Sequence, residues 1–141
     1  MSGFSASILA QPPLIADLNE RVLAFLQEQN VDGRTASHVV LIVEEVLTNI
    51  GTHGQCADKP VRIALTADRE RVTGEIVDSG IPFDPRAAPE PELAQSAGER
   101  PLGGLGLFLV RRVSSALEYA SRNGENYLHF AVARQPDAGG R

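Results

Sequence analysis

Three polar side chains recur at four-residue intervals in the segment "EEVLTNIGTHG". On a helix, Glu45, Asn49 and His53 share one flank beside the apolar face, whereas Glu44 points outward. The Asn49 carbonyl oxygen suits Mg²⁺ in a nucleotide site, where the ion uses few protein ligands together with phosphates and water. Glu45 is then free to orient or deprotonate a hydroxyl or a water molecule. The alternatives are the ordinary polar flank of an amphipathic helix and, for His53, closure of the helix end.

A second candidate segment, "VDSGIPFDP", ends a predicted strand. The Asp78 carboxylate only accepts hydrogen bonds, so it can take one from the amino group of adenine, and Gly80 lets the backbone come close to a base. Asp78 is therefore the predicted purine-binding residue. The alternative is an Asp-Ser-Gly turn followed by a second turn at Asp84-Pro85, with Phe83 as either a hinge anchor or a core residue.

The third segment, "PLGGLGLFLV", places glycines ahead of a predicted helix. Backbone N–H groups around Gly103, Gly104, Leu105 and Gly106 would point at anions, so phosphates can bind at the positive end of the helix without a lysine. Arg100 is close to these glycines in the sequence. It would either contact a terminal phosphate or lie in solvent. A flexible helix cap is the alternative for the glycines. A dinucleotide-binding fingerprint is excluded because no strand directly precedes them.

Hydrophobic periodicity predicts the elements that position these segments. We expect a strand at residues 4–10, a helix at 13–30, and a second helix from about Thr35 to near Gly54. Two strands, "VRIALTA" and "RVTGEIVDSG", then form a hairpin. A proline-rich loop over 82–103 leads to a third helix, "GGLGLFLVRRVSSALEY", which would carry an apolar stripe from Leu107 to Leu117 and include Ser114 and Ser115. Asn123-Gly124 predicts a tight turn between "LEYASR" and "NYLHFAVAR".

These elements predict one domain over residues 1–141, built as a two-layer α/β sandwich. Its sheet would be mixed but mostly antiparallel, with three helices on one face. A hydrophobic fraction of 43% is enough to bury a core.

Composition excludes several classes of function. The single lysine, Lys59, rules out both a P-loop and a eukaryotic-type protein kinase. A net charge of −5 without a basic cluster makes nucleic acid and membranes poor candidates as partners. The lone Cys56 cannot form an internal disulfide, and the amino terminus lacks the features of a signal peptide, so we expect a cytoplasmic protein.

The three segments together, in this order, resemble the GHKL ATPase/kinase superfamily. "EEVLTNIGTHG" resembles its asparagine box, "DSGIPFDP" its first glycine box and "GGLGLFLV" its second. Within the superfamily the chain resembles the small anti-sigma-factor kinases of the RsbW and SpoIIAB type, and the resemblance covers roughly residues 8–133. No histidine-phosphorylation domain or transducer domain is expected beside it.

The resemblance implies a Bergerat ATP-binding fold and assigns roles residue by residue. Asn49 would coordinate Mg²⁺, Glu45 would be the catalytic base, and Asp78 with Gly80 would hold adenine. Gly104 and Gly106 would contact phosphates, and the loop 84–103 would be the ATP lid.

The resemblance also implies a function. Members of this branch bind a sigma factor and use ATP to phosphorylate a serine or threonine on an anti-anti-sigma (STAS) partner in bacterial partner switching, often as homodimers. The alternatives are a non-catalytic ATP-binding module that sequesters a regulatory partner, and a slow ATPase. These differ in whether a phosphorylated protein is formed.

Overall fold

The computed structural model describes residues 2–87 and 104–135. The described elements are, in chain order, β1 Ser2–Leu9, α1 Pro12–Glu28, α2 Gly33–His53, β2 Pro60–Ala67, β3 Arg71–Asp78, a 3-10 turn Pro85–Ala87, α3 Gly104–Val113, β4 Ala116–Arg122 and β5 Glu125–Ala133. The three predicted helices and five predicted strands are therefore present, with boundaries shifted by a few residues.

The described strands form one five-stranded sheet in the order β1-β2-β3-β5-β4. Every strand pairing among these residues is antiparallel. The predicted sheet was mixed but mostly antiparallel, and the described strands include no parallel pair. Along β2, buried and exposed residues alternate strictly, as in a sheet with one face on the core and the other toward solvent. The two-layer sandwich of sheet and helices is confirmed.

The core lies between the sheet and the helices α1, α2 and α3. Its largest fully buried side chains include Leu18, Leu26, Ile42, Leu47 and Phe130. Burying each contributes about 1.5–3 kcal/mol relative to leaving it exposed.

A glycine in mid-strand accommodates the Phe130 ring. Gly74 on β3 pairs with Phe130 on β5, and a Cβ at position 74 would overlap the ring. The ring therefore occupies the space that a side chain at position 74 would need.

Local sequence signals fix the start of α2 and the two hairpin turns. Asp32 caps α2 by accepting from the Thr35 backbone N–H at 2.9 Å. Asp68 accepts from the N–H groups of Glu70 and Arg71 in the β2–β3 turn. Asn123 and Gly124 both have positive φ, as the predicted tight turn between β4 and β5 requires.

The third helix is shorter than predicted. It ends at Val113, and Leu117 belongs to β4. The prediction that Ser114 and Ser115 lie within a helix was wrong, because Ser115 N–H donates to the Ala131 carbonyl on β5 at 2.7 Å. Leu117 continues the helical spacing of Leu107 and Val110 by coincidence, and pairing with β5 overrides that pattern.

Candidate functional site

A cleft opens where the carboxyl end of α2 meets the ends of β3 and β5. Its polar lining includes Asn49, His53 and Asp78, and its apolar lining includes Ile76 and Leu128. Two of the three polar residues predicted on α2 therefore line one cavity with the predicted purine-binding aspartate.

Glu45 lies one turn before Asn49 and is in contact with α3. A Cβ at position 106 would overlap the Glu45 carboxylate, with its Cδ at 2.7 Å. Glycine at position 106 therefore allows this side chain to lie against α3. The contact brings the first predicted segment together with the third.

Burial separates the two adjacent glutamates. Glu45 is half-buried, whereas Glu44 is exposed and accepts a hydrogen bond from the Asn19 amide on α1 at 3.2 Å. Burial raises the pKa of the Glu45 carboxyl, and the negative charge of Glu44 raises this pKa further. A higher pKa makes the ionised Glu45 a better proton acceptor.

Asp78 is 9% exposed, and protein groups hydrogen-bond to one of its two carboxylate oxygens. Its Oδ2 accepts from the Gly80 backbone N–H at 2.9 Å and from the Asn126 amide at 3.0 Å. No described residue donates to its Oδ1. One carboxylate oxygen is thus fixed by the protein, and the other can accept from a ligand.

Sequence reasoning missed Asn126. This residue is 3% exposed and lies directly opposite Asp78 in the β3–β5 pairing. One signal could have found it: Asn126 is the polar member of an otherwise apolar inward-facing series that continues with Leu128, Phe130 and Val132. A buried polar side chain in such a series needs a hydrogen-bonding partner.

Gly80 lies where the chain passes close to the end of α2. A Cβ there would lie 2.6 Å from the Cys56 sulfur and 2.7 Å from the Gly54 carbonyl oxygen. The next residue, Ile81, donates its N–H to that same carbonyl at 2.9 Å. Close backbone approach therefore requires glycine at position 80.

The segment after Gly80 is attached to β4 and α3. Phe83 N–H donates to the Tyr119 hydroxyl at 3.0 Å, and Arg111 donates to the Arg86 carbonyl at 3.4 Å. Asp84 forms an ion pair with Arg86 at 2.7 Å. Phe83 is 48% exposed and lines the cleft, so the alternative that it is a core residue was wrong.

Several predicted residues cannot be placed in this geometry. Arg100 and Gly103 lie outside the described residues, as does most of the predicted lid, of which only 84–87 are described. Gly104, Leu105 and Gly106 form the first turn of α3, as expected for a glycine-rich helix start. Their contact with phosphate stays a prediction.

Within residues 2–87 and 104–135, no three His, Cys, Asp or Glu side chains group to hold a metal ion. Mg²⁺ bound with a nucleotide uses few protein ligands, and the Asn49 carbonyl oxygen is a ligand of the type that it prefers. In the same described part of the chain, no helix is long and apolar enough to cross a membrane.

Comparison with known proteins agrees with this arrangement. A family model described as "Histidine kinase-like ATPase domain" matches residues 8–132. The serine/threonine-protein kinase BtrW of Bordetella bronchiseptica is 35% identical over 102 residues, which cover 71% of this chain and 72% of that protein.

Two solved structures share the fold. The structure of the RsbU and RsbW domains of a Mycobacterium tuberculosis protein matches 96% of this chain with a TM-score of 0.69 at 14% identity, and this chain spans 34% of that one. A chain of the SiaB-SiaC complex from Pseudomonas aeruginosa matches 92% of this chain, and 89% of its own length, with a TM-score of 0.55 at 15% identity.

The match over residues 8–132 and the identity to a serine/threonine kinase confirm the resemblance drawn from the three segments. The family is one of ATPase domains, so the chain binds ATP. The chain belongs to the histidine kinase-like ATPase domain family, in a branch that includes a serine/threonine-protein kinase.

Proposed function

We propose that this chain phosphorylates a serine or threonine of an anti-anti-sigma factor-like (STAS) protein, using Mg-ATP bound in the cleft, and that it also acts as an anti-sigma factor. The observation that carries the proposal is the contact of the Glu45 carboxylate with Gly106, one helical turn from Asn49. This contact puts a carboxylate of raised pKa beside the glycine-rich start of α3, where phosphates would bind.

Adenine would enter the cleft toward Asp78. The free Oδ1 accepts a hydrogen bond from the amino group of the base, while Ile76 and Leu128 supply apolar contacts for the ring. Gly80, which has no side chain, leaves room for the base to approach the backbone.

The phosphates would then extend along α2 toward the start of α3. The N–H groups at this helix end favour anions, and Asn49 supplies a carbonyl oxygen for Mg²⁺. Bound Mg²⁺ would neutralise phosphate charge during transfer. His53, which lines the cleft beside Asn49, is proposed to contact the nucleotide.

Glu45 would act on the acceptor hydroxyl. As the hydroxyl oxygen forms its bond to the γ-phosphorus, the bond to the β-phosphate oxygen breaks, ADP leaves, and the hydroxyl proton passes to Glu45. The raised pKa of Glu45 favours this proton transfer. The half-buried position limits competition from water.

Incubation with γ-labelled ATP, magnesium and a candidate STAS domain tests the proposal. Phosphoserine or phosphothreonine on the STAS domain, absent with Glu45→Ala, supports it. Nucleotide binding without phosphoprotein would instead indicate a non-catalytic interaction module, and release of phosphate without a labelled protein would indicate a slow ATPase. Co-purification with a sigma factor, in competition with the unphosphorylated STAS domain, tests the anti-sigma role.

A further inference from the structure

Asn126 is a buried polar residue that is hydrogen-bonded to Asp78, which lines the proposed ATP cleft. Its position on β5 directly faces Asp78 on β3, and only 3% of it is exposed. Burying a carboxamide costs free energy unless its hydrogen bonds are made. The partners of Asn126 therefore indicate what its side chain does.

Both ends of the Asn126 carboxamide are hydrogen-bonded. Its Nδ2 donates to Asp78 Oδ2 at 3.0 Å and to the Gly80 carbonyl at 2.9 Å. Its Oδ1 accepts from the Ser121 hydroxyl on β4 at 2.7 Å. The same carboxamide thus contacts the carboxylate and the glycine that are proposed to hold adenine.

The chemistry of these partners fixes the orientation of the amide. If the Asn126 amide were turned over, its oxygen would face the Asp78 carboxylate and the Gly80 carbonyl, neither of which can donate. The Ser121 hydroxyl can donate or accept, so the Asp78 carboxylate and the Gly80 carbonyl select the orientation. In that orientation Ser121 donates to the amide oxygen, which completes the hydrogen bonds of the buried carboxamide.

This orientation determines which Asp78 oxygen meets the base. Oδ2 already accepts from Gly80 N–H and from Asn126, so Oδ1 is left as the acceptor. Without the Asn126 hydrogen bond the carboxylate could rotate, and the acceptor would no longer have a fixed direction. Charge-assisted hydrogen bonds of this kind are the strong ones.

We propose that Asn126, held by a hydrogen bond from Ser121, is a positioning residue that sets the selectivity of this cleft for 6-aminopurine nucleotides. The inference rests on the proposed ATP site and identifies two residues through which Asp78 acts. Neither residue needs to contact the nucleotide itself.

The test measures affinity for ATP and for purine riboside triphosphate, which lacks only the 6-amino group. Isothermal titration with magnesium is carried out on the wild type, Asn126→Leu, Ser121→Ala and the control Tyr127→Phe. Tyr127 is next to Asn126 on β5, but its hydroxyl donates to Glu125, away from Asp78. A merely structural role would weaken both nucleotides equally, so the readout is the ratio of the two affinities.

We expect the wild type and Tyr127→Phe to prefer ATP by about tenfold, the value of one hydrogen bond to a charged group. Asn126→Leu should reduce this preference to less than about twofold, and Ser121→Ala should reduce it by about threefold, because it removes only the hydrogen bond to the Asn126 amide oxygen. If circular dichroism shows that Asn126→Leu does not fold, the affinity ratios of Asn126→Ala and Ser121→Ala test the proposal instead.

Two negative results are distinguishable. Equal affinity of the wild type for the two nucleotides would overturn the proposed adenine contact at Asp78. A wild-type preference that persists unchanged in the folded Asn126 and Ser121 variants would overturn the positioning role alone.

Discussion

The carboxylate of Glu45 on α2 lies against Gly106 in the first turn of α3, in the space that a side chain at position 106 would occupy. This contact joins a candidate proton acceptor to the helix start at which phosphates would bind. It depends on two residues 61 positions apart in the chain, and it gives the most specific test of the proposed catalytic arrangement.

Gly106→Ala should disable phosphotransfer without unfolding the protein. The added methyl group must displace the Glu45 carboxylate, so we expect the rate to fall by at least about tenfold, since a positioned base contributes about 10²–10⁴-fold. Alanine is also favoured over glycine inside a helix by about 1 kcal/mol, so the melting temperature should not fall. The matched control is Gly33→Ala, where no atom lies within 4 Å of the added Cβ. Equal loss of activity in both variants would contradict the role of the contact.

The two adjacent glutamates should respond differently to substitution. Glu45→Ala should lower the phosphotransfer rate by about 10²–10⁴-fold while ATP binding stays measurable by titration. Glu44→Ala, at an exposed position on the same helix, should change the rate by less than about threefold, because this residue only adjusts the charge near Glu45. Full activity of the Glu45 variant would remove the assignment of this residue as the base.

The pH profile of kcat/KM should report the Glu45 carboxyl. Burial and the charge of Glu44 raise its pKa, and only the ionised form accepts a proton, so activity should rise as pH rises through this elevated pKa. Glu44→Gln removes one negative charge and lowers the Glu45 pKa. The acid limb of the profile should therefore move to lower pH. An unchanged limb, or a shift to higher pH, would show that another group controls the profile.

The Asp32 cap at the start of α2 should contribute measurable stability. Asp32→Ala should lower the free energy of unfolding by about 0.5–2 kcal/mol, whereas Asp32→Asn should retain most of it, since asparagine is also a good cap. Burial raises the pKa of Asp32, but hydrogen bonds from Thr35 and Gln135 lower this pKa more. The folded-state pKa is thus below the unfolded value, so the contribution is present above the unfolded pKa and is lost as pH falls through the folded one. Denaturant unfolding at neutral and acid pH measures this difference. The account is contradicted if Asp32→Ala lowers the free energy of unfolding as much at acid pH as at neutral pH.

Much of the fold could be predicted from local patterns. The apolar spacing that runs through Leu18 and Val22 predicts α1, and the Asn123-Gly124 dipeptide predicts the β4–β5 turn. The junction after α3 could not be predicted in the same way. Leu117 satisfies the spacing of a helix, but the hydrogen bond from Ser115 to Ala131 on β5 ends the helix earlier. That bond depends on strand pairing, which is not a local property of the segment.

Residues of the candidate site could be predicted from the sequence where their chemistry depends on neighbouring residues in the chain. They could not be predicted where it depends on how strands pair. Helical geometry distinguishes Glu45 from Glu44, and the Asp-x-Gly segment identifies Asp78. Asn126 can be assigned to the site only when the register of β3 and β5 is known, because that register places it opposite Asp78. The overlap of Glu45 with position 106 likewise depends on how α2 and α3 pack.

Titration of ATP and of inosine triphosphate, each with magnesium, into the wild type and Asp78→Asn tests the ATP site most directly. Because Gly80 N–H and Asn126 both donate to Oδ2, an asparagine at position 78 must place its oxygen there and turn its NH₂ group toward the base. We therefore expect the wild type to bind ATP in preference to inosine triphosphate, and Asp78→Asn to lose affinity for ATP by about tenfold or more while gaining relative affinity for the 6-oxo base. Absence of ATP binding by the wild type, or the same ATP affinity in both proteins, would contradict the assignment of this cleft.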